Sequence, residues 1–101
     1  MSTVWPALTE AMYLLTGNLR GQWAVWDMVD RGGLEILHLG RADVPRIRQL
    51  MQKYADRLIG LADAALIAVA ERENVRQIFT VDRKDFSVYR LHGRYKFHII
   101  P

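Results

Sequence analysis

Asp63, Asp82 and Glu10 are the residues whose types and spacing could do chemistry. Asp63 stands near the start of the apolar segment LADAALIAVAERE, and Asp82 directly follows the run from Gln77 to Val81. Leu61, Ala65, Leu66, Val69 and Ala70 recur at helical spacing, whereas the β-branched and aromatic run reads as a short strand. A helix that precedes a strand in an α/β layer runs antiparallel to it, so the helix start and the strand end share one edge. Asp63 and Asp82 are therefore expected to converge. Glu10 is expected in the first turn of an earlier helix. It joins them if Thr3 to Trp5 is a strand parallel to the later one, because ligands of α/β sheets sit beyond the carboxyl ends of the strands.

Carboxylates gathered on one rim repel unless a positive charge lies between them. A hard divalent cation meets that need. Mg²⁺ takes oxygen ligands while keeping several waters, and Mn²⁺ accepts the same ligands. Beside a basic surface, the reaction class is metal-dependent phosphodiester hydrolysis. Each acid also has a purely structural use. Asp63 and Glu10 would be favoured by a helix dipole by roughly 0.3–1 kcal/mol, Asp82 could cap a turn at Arg83, and Asp85 could be solvated.

The elements that must position these acids follow from the rest of the chain. Its 101 residues, half hydrophobic and a quarter charged, suit a single domain spanning residues 1–101. The absence of cysteine excludes a thiol nucleophile and cysteine-based zinc sites, and agrees with a cytoplasmic setting. No apolar run approaches the roughly 20 residues of a membrane span, and no signal peptide opens the chain. Charge is uneven. Residues 1–50 carry five basic and five acidic side chains, whereas residues 72–96 carry Arg72, Arg76, Arg83, Lys84, Arg90, Arg94 and Lys96 against Glu73, Asp82 and Asp85. A basic C-terminal part of this kind can attract a phosphate backbone or simply be a solvated surface.

Pro6 favours a helix start, and Leu8, Ala11, Met12 and Leu15 give that helix an apolar face ended by Gly17-Asn18. A second helix is expected from about Arg20 to Asp30. Its Trp23 and Trp26 are expected to pack, since a base-stacking platform requires exposed rings. Leu34 to Leu39 reads as a strand, and a third helix begins at Ala42-Asp43, with Asp43 as N-cap and Ile47, Leu50, Met51 and Tyr54 buried. Asp56 to Gly60 is a linking turn, a tight turn lies near Gly93, and Phe97 to Ile100 is a last strand. His38, His92 and His98 lack metal-ligand spacing and read as structural.

The segments TVWPALTEAMYLL (3–15), YADRLIGLADAALIAVAERENVRQIFTVDRKDF (54–86) and VYRLHGRYKFHIIP (88–101) resemble PIN-domain ribonucleases, specifically the VapC toxins of toxin-antitoxin pairs. The resemblance implies a PIN-like α/β/α sandwich with a short parallel sheet and a Mg²⁺ or Mn²⁺ site. It further implies cleavage of single-stranded or tRNA-like RNA, a homodimer or higher oligomer, and a cognate antitoxin. By position, Glu10, Asp63 and Asp82 match the family's metal-binding acids, Asp85 a supporting acid, and Thr80 a hydroxyl that orients water. Arg83, Lys84, Arg90 and Arg94 are the basic residues expected to hold RNA.

The chain departs from the family pattern at its start, where an initial strand ending in aspartate and a helical region would precede residue 2. The fold expectation is thus an N-terminally truncated PIN domain, with unpaired edges where the central strand would lie, and at best weak activity. A non-catalytic PIN remnant that binds RNA or an antitoxin, and an oligomeric interaction subunit, are the alternative functions.

Overall fold

The computed structural model describes residues 1–55 and 60–79, together with the backbone of residues 90–91 and 95–96. In chain order the elements are β1 (Ser2–Thr3), α1 (Trp5–Leu14), α2 (Leu19–Asp30), β2 (Glu35–Ile36), α3 (Val44–Lys53), α4 (Leu61–Glu73), β3 (Arg90–Leu91) and β4 (Tyr95–Lys96), with a 3-10 turn at Arg41–Asp43 before α3. The expected turn over 56–59, the turn at Gly93 and the strand from Phe97 lie outside the described residues.

β1 is bonded on both sides. It pairs in parallel with β2, Ser2 opposite Glu35 and Thr3 opposite Ile36, and the Glu35 and Leu37 amides donate to the Met1 and Thr3 carbonyls at 2.9 and 2.8 Å. On its other edge Ser2 faces Ile78, also in parallel. There the Ser2 amide donates to the Gln77 carbonyl at 3.1 Å and the Phe79 amide to the Ser2 carbonyl at 2.9 Å. The buried Thr3 hydroxyl adds a bond to the Phe79 carbonyl at 3.2 Å. Among the described residues the expected unpaired edge of β1 is therefore not found: β1 joins the 77–79 segment directly. The physical reason is that buried backbone donors and acceptors must be satisfied, and these two segments satisfy each other. β3 and β4 form a separate antiparallel pair, Arg90 opposite Lys96.

Alternation along the strands sorts the core into two layers. Leu37 and Ile78 point into a cluster with Val4, Ala7, Ile47, Leu50 and the buried run of α4. Ile36, Leu34 and Phe79 point the other way, into a cluster with Leu8, Ala11, Val25 and Trp26. Helices thus cover both faces of a short parallel sheet, the α/β arrangement expected of a PIN-like fold.

The sequence explains the helix limits. Pro6 occupies the first turn of α1, and Gly17, at φ +89, takes the left-handed conformation that a side chain would strain. The Asn18 side chain caps α2 by accepting the Gly21 amide at 2.9 Å, a role the sequence reading assigned only to helix termination. α4 is buried without a break from Ala64 to Glu71, as a helix enclosed on several sides must be. Leu61, expected on its apolar face, is instead exposed at its first position, and Met51 of α3 is likewise exposed. Asn74 closes α4 in the left-handed conformation at φ 54, turning the chain back into the sheet. Leu66, at 1 % exposure, measures how much this packing stabilises. Leu66→Ala is expected to cost about 2–5 kcal/mol in urea unfolding, and a cost below about 1 kcal/mol would contradict an enclosed α4.

Candidate active site at the carboxyl rim of the sheet

β1 runs directly into α1, and the 77–79 segment, parallel to β1, follows α4 through a short turn. The first turns of α1 and α4 therefore lie at the rim where these strands end. The two helices pack against each other, Ala7 of α1 entering the same cluster as Ala64 and Ala65 of α4. Asp63 stands in the first turn of α4 and is half-buried. Its position matches expectation, and the positive end of the helix dipole favours its ionised form.

Glu10 requires a correction. It is the sixth residue of α1, so no acid occupies that helix's first turn. α1 starts at Trp5 because Val4 is extended and Pro6 fits the first turn, which places Glu10 one turn deeper. The dipole effect fades beyond the first turn, so that structural use does not account for Glu10. It is half-buried on a helix that borders α4.

Asp82, Asp85, Thr80, Arg83, Lys84 and Arg94 lie outside the described residues, and of Arg90 only the β3 backbone is described. Among the described residues no group of three or more His, Cys, Asp or Glu side chains is placed to hold a metal ion. As carboxylates, Glu10 and Asp63 are of the residue type that suits Mg²⁺ or Mn²⁺ rather than a soft metal. His38 is exposed, and its carbonyl enters a network at the other end of the molecule.

That network escaped the sequence reading. The Arg72 guanidinium, near the C-terminus of α4, donates to Asp43 Oδ1 and Oδ2 at 2.7 and 2.6 Å and to the His38 carbonyl at 2.6 Å. Asp43 precedes α3 as expected, yet makes no side-chain cap bond to it; its Oδ2 instead accepts the Gly40 amide at 3.0 Å. Next to it Arg46 binds Glu71 through two bonds, at 2.7 and 2.8 Å. These groups line a cleft of about 410 Å³ floored by Ala42 and Ala68. Separations of 25 and 29 residues leave no local signal for such pairs.

Burial alone would raise the Asp43 carboxyl, but the Gly40 amide and the Arg72 guanidinium outweigh it and hold the group below its ordinary 3.8. A lowered carboxyl stabilises the fold fully above the unfolded value, and that contribution is lost as pH falls through the folded one. Asp43→Asn is therefore expected to lower stability at pH 7 by about 1–2 kcal/mol, the lower part of the charged-bond range because Arg72 is 35 % exposed. The deficit should shrink below pH 3.8. A deficit independent of pH in chemical unfolding would refute the ion pair's role.

Residues 7–91 match the PIN domain. The chain belongs to the PIN-domain family. It is also similar to a ribonuclease of Mycobacterium tuberculosis (strain ATCC 25618 / H37Rv), Ribonuclease VapC26, with 39 % identity over 70 residues. That alignment covers 69 % of this chain and 52 % of the relative, so the chain spans about half the length of the curated relative it matches.

Proposed function

We propose that this chain is a metal-dependent endoribonuclease domain of the VapC toxin type, in which residues 1–101 act as one PIN-like unit. The observation that carries the reading is the packing of α1 against α4, with Asp63 in the first turn of α4 and Glu10 in the second turn of α1. The PIN family match and the VapC26 similarity support it.

On this reading Glu10, Asp63 and Asp82 hold Mg²⁺ or Mn²⁺, which when bound activates water and stabilises charge on the phosphodiester. The carboxylates' combined negative charge would favour a divalent over a monovalent cation at this rim. Asp85 supports the cluster, and the Thr80 hydroxyl orients water. Arg83, Lys84, Arg90 and Arg94 attract the backbone of single-stranded or tRNA-like RNA, consistent with a net charge of +3. A cognate antitoxin, a homodimer or higher oligomer, and a cytoplasmic location complete the proposal. Among the described residues no helix is long and apolar enough to cross a membrane.

The direct test is cleavage of labelled single-stranded RNA with Mn²⁺. Asp63→Asn and Glu10→Gln are each expected to lower the rate roughly 100-fold or more, as loss of several kcal/mol of metal-derived stabilisation requires. RNA binding without metal-dependent cleavage would favour the non-catalytic reading. Metal binding has its own readout: millimolar Mg²⁺ or Mn²⁺ should raise the Tm of the wild type, and raise that of Asp63→Asn less, because a ligand preferring the folded state stabilises it. Equal shifts in both proteins would place the ion elsewhere.

A further inference from the structure

α2 follows α1 after a short connection and is tied to it where the Gln22 side-chain amide donates to the Met12 carbonyl at 2.9 Å. Along their seam runs a groove of about 290 Å³ lined by Trp5, Leu8, Thr9, Met12 and Trp26. Its hydroxyl is already committed, since Thr9 donates to the Trp5 carbonyl at 2.9 Å. Trp5 is 56 % exposed, and Trp23, one turn before Trp26 on α2, is 59 % exposed. Trp26 packs partly into the core, as the sequence suggested for both α2 indoles, but Trp23 and Trp5 do not. The open Trp5 ring at the edge of this groove gains little for folding.

The geometry points to a nucleobase-stacking subsite in this groove, with Trp5 and Trp26 taking the face of one base of a single-stranded RNA. This inference rests on the nuclease reading and specifies where its substrate lies. Trp5 begins α1 at the rim that also carries Asp63. Glu10 follows five residues later, about 140° around the helix and about 7.5 Å along it. An RNA strand crossing the start of α1 thus meets an indole on one flank and the carboxylate on the other.

The chemistry of the walls favours a base over other ligands. The groove's few polar groups are two indole N–H donors and a Thr9 hydroxyl whose proton is already donated, whereas its aromatic faces accept any base by stacking. Arg20 lies one turn before Trp23, exposed and without an ion pair among the described residues, so a phosphate farther along the seam has a cation to meet.

The test is the anisotropy of a short fluorescein-labelled single-stranded RNA titrated with this chain in EDTA, where nothing is cleaved. Trp5→Ala is expected to bind about 5- to 150-fold more weakly, the range for loss of one stacked base, and Trp5→Phe to recover most of the affinity. The salt dependence of Trp5→Ala should keep the wild-type slope, whereas Arg20→Ala should reduce that slope by about 0.7. Abasic substitution, one nucleotide at a time, should weaken wild-type binding at one position and have no effect there on Trp5→Ala. Wild-type affinity in Trp5→Ala, or a loss matched by no abasic position, overturns the subsite while metal-dependent cleavage can still stand. Absence of any RNA binding by the wild type overturns both. Intact RNA affinity in Trp5→Ala with loss of a protein partner assigns the groove to protein and overturns the subsite.

Discussion

The structure depends on two residues, Ser2 and Thr3, whose backbone groups are bonded on both edges. The Glu35 and Leu37 amides reach β1 from one side, and Gln77 and Phe79 complete the ladder on the other. β1 leads straight into α1, and the 77–79 segment is what α4 turns back to form. This double pairing therefore fixes both helix starts at one rim. The direct packing of α1 on α4 holds the same arrangement from the helix side. The Thr3 hydroxyl bond to Phe79 reinforces the shorter ladder, and the alternation of Ile36 with Leu37 and of Ile78 with Phe79 divides the core between the sheet's two faces.

Charge is organised in two different ways at the two ends of α4. At its C-terminal end Arg72 and Arg46 each meet a buried carboxylate, and the Arg46 guanidinium is raised above its ordinary value chiefly by its bond to Glu71. Arg72 is raised likewise, chiefly by Asp43. Such pairs join α3 and the turn before it to α4. At the N-terminal end the acids stand half-exposed on two packed helices. Under the proposed nuclease function these acids would hold a cation, and the adjoining Trp5–Trp26 groove would take a base of the RNA strand.

Much of this was legible in the residues. Helical spacing, Pro6, Gly17 and the Leu34 to Leu39 run mark the elements because their causes are local. The position of Asp63 followed from the order of a helix and the strand after it. Where the reading failed, the cause was long-range or a matter of phase. Glu10 was set one turn too early because the start of α1 depends on Val4 remaining extended. Leu61 and Met51 are apolar yet outside the core, since periodicity names a face without saying how far its neighbours extend. Trp23 turned outward though Trp26, one turn on, turned in. The Asp43–Arg72 pair joins residues far apart in the chain, and direct closure of the 77–79 segment onto β1 is a tertiary choice that no single segment encodes.

The central claim, that the first turn of α4 and the second turn of α1 present acids to one ion, is tested most directly by paramagnetic broadening. Mn²⁺ titrated into the isotopically labelled chain should erase amide signals of Glu10 and its neighbours together with those of Asp63 and Ala64. Signals of Asp43 and Arg72 at the other end of α4 should persist, because the effect falls steeply with distance. Broadening confined to one helix, or centred on the Asp43–Arg72 network, would contradict the account.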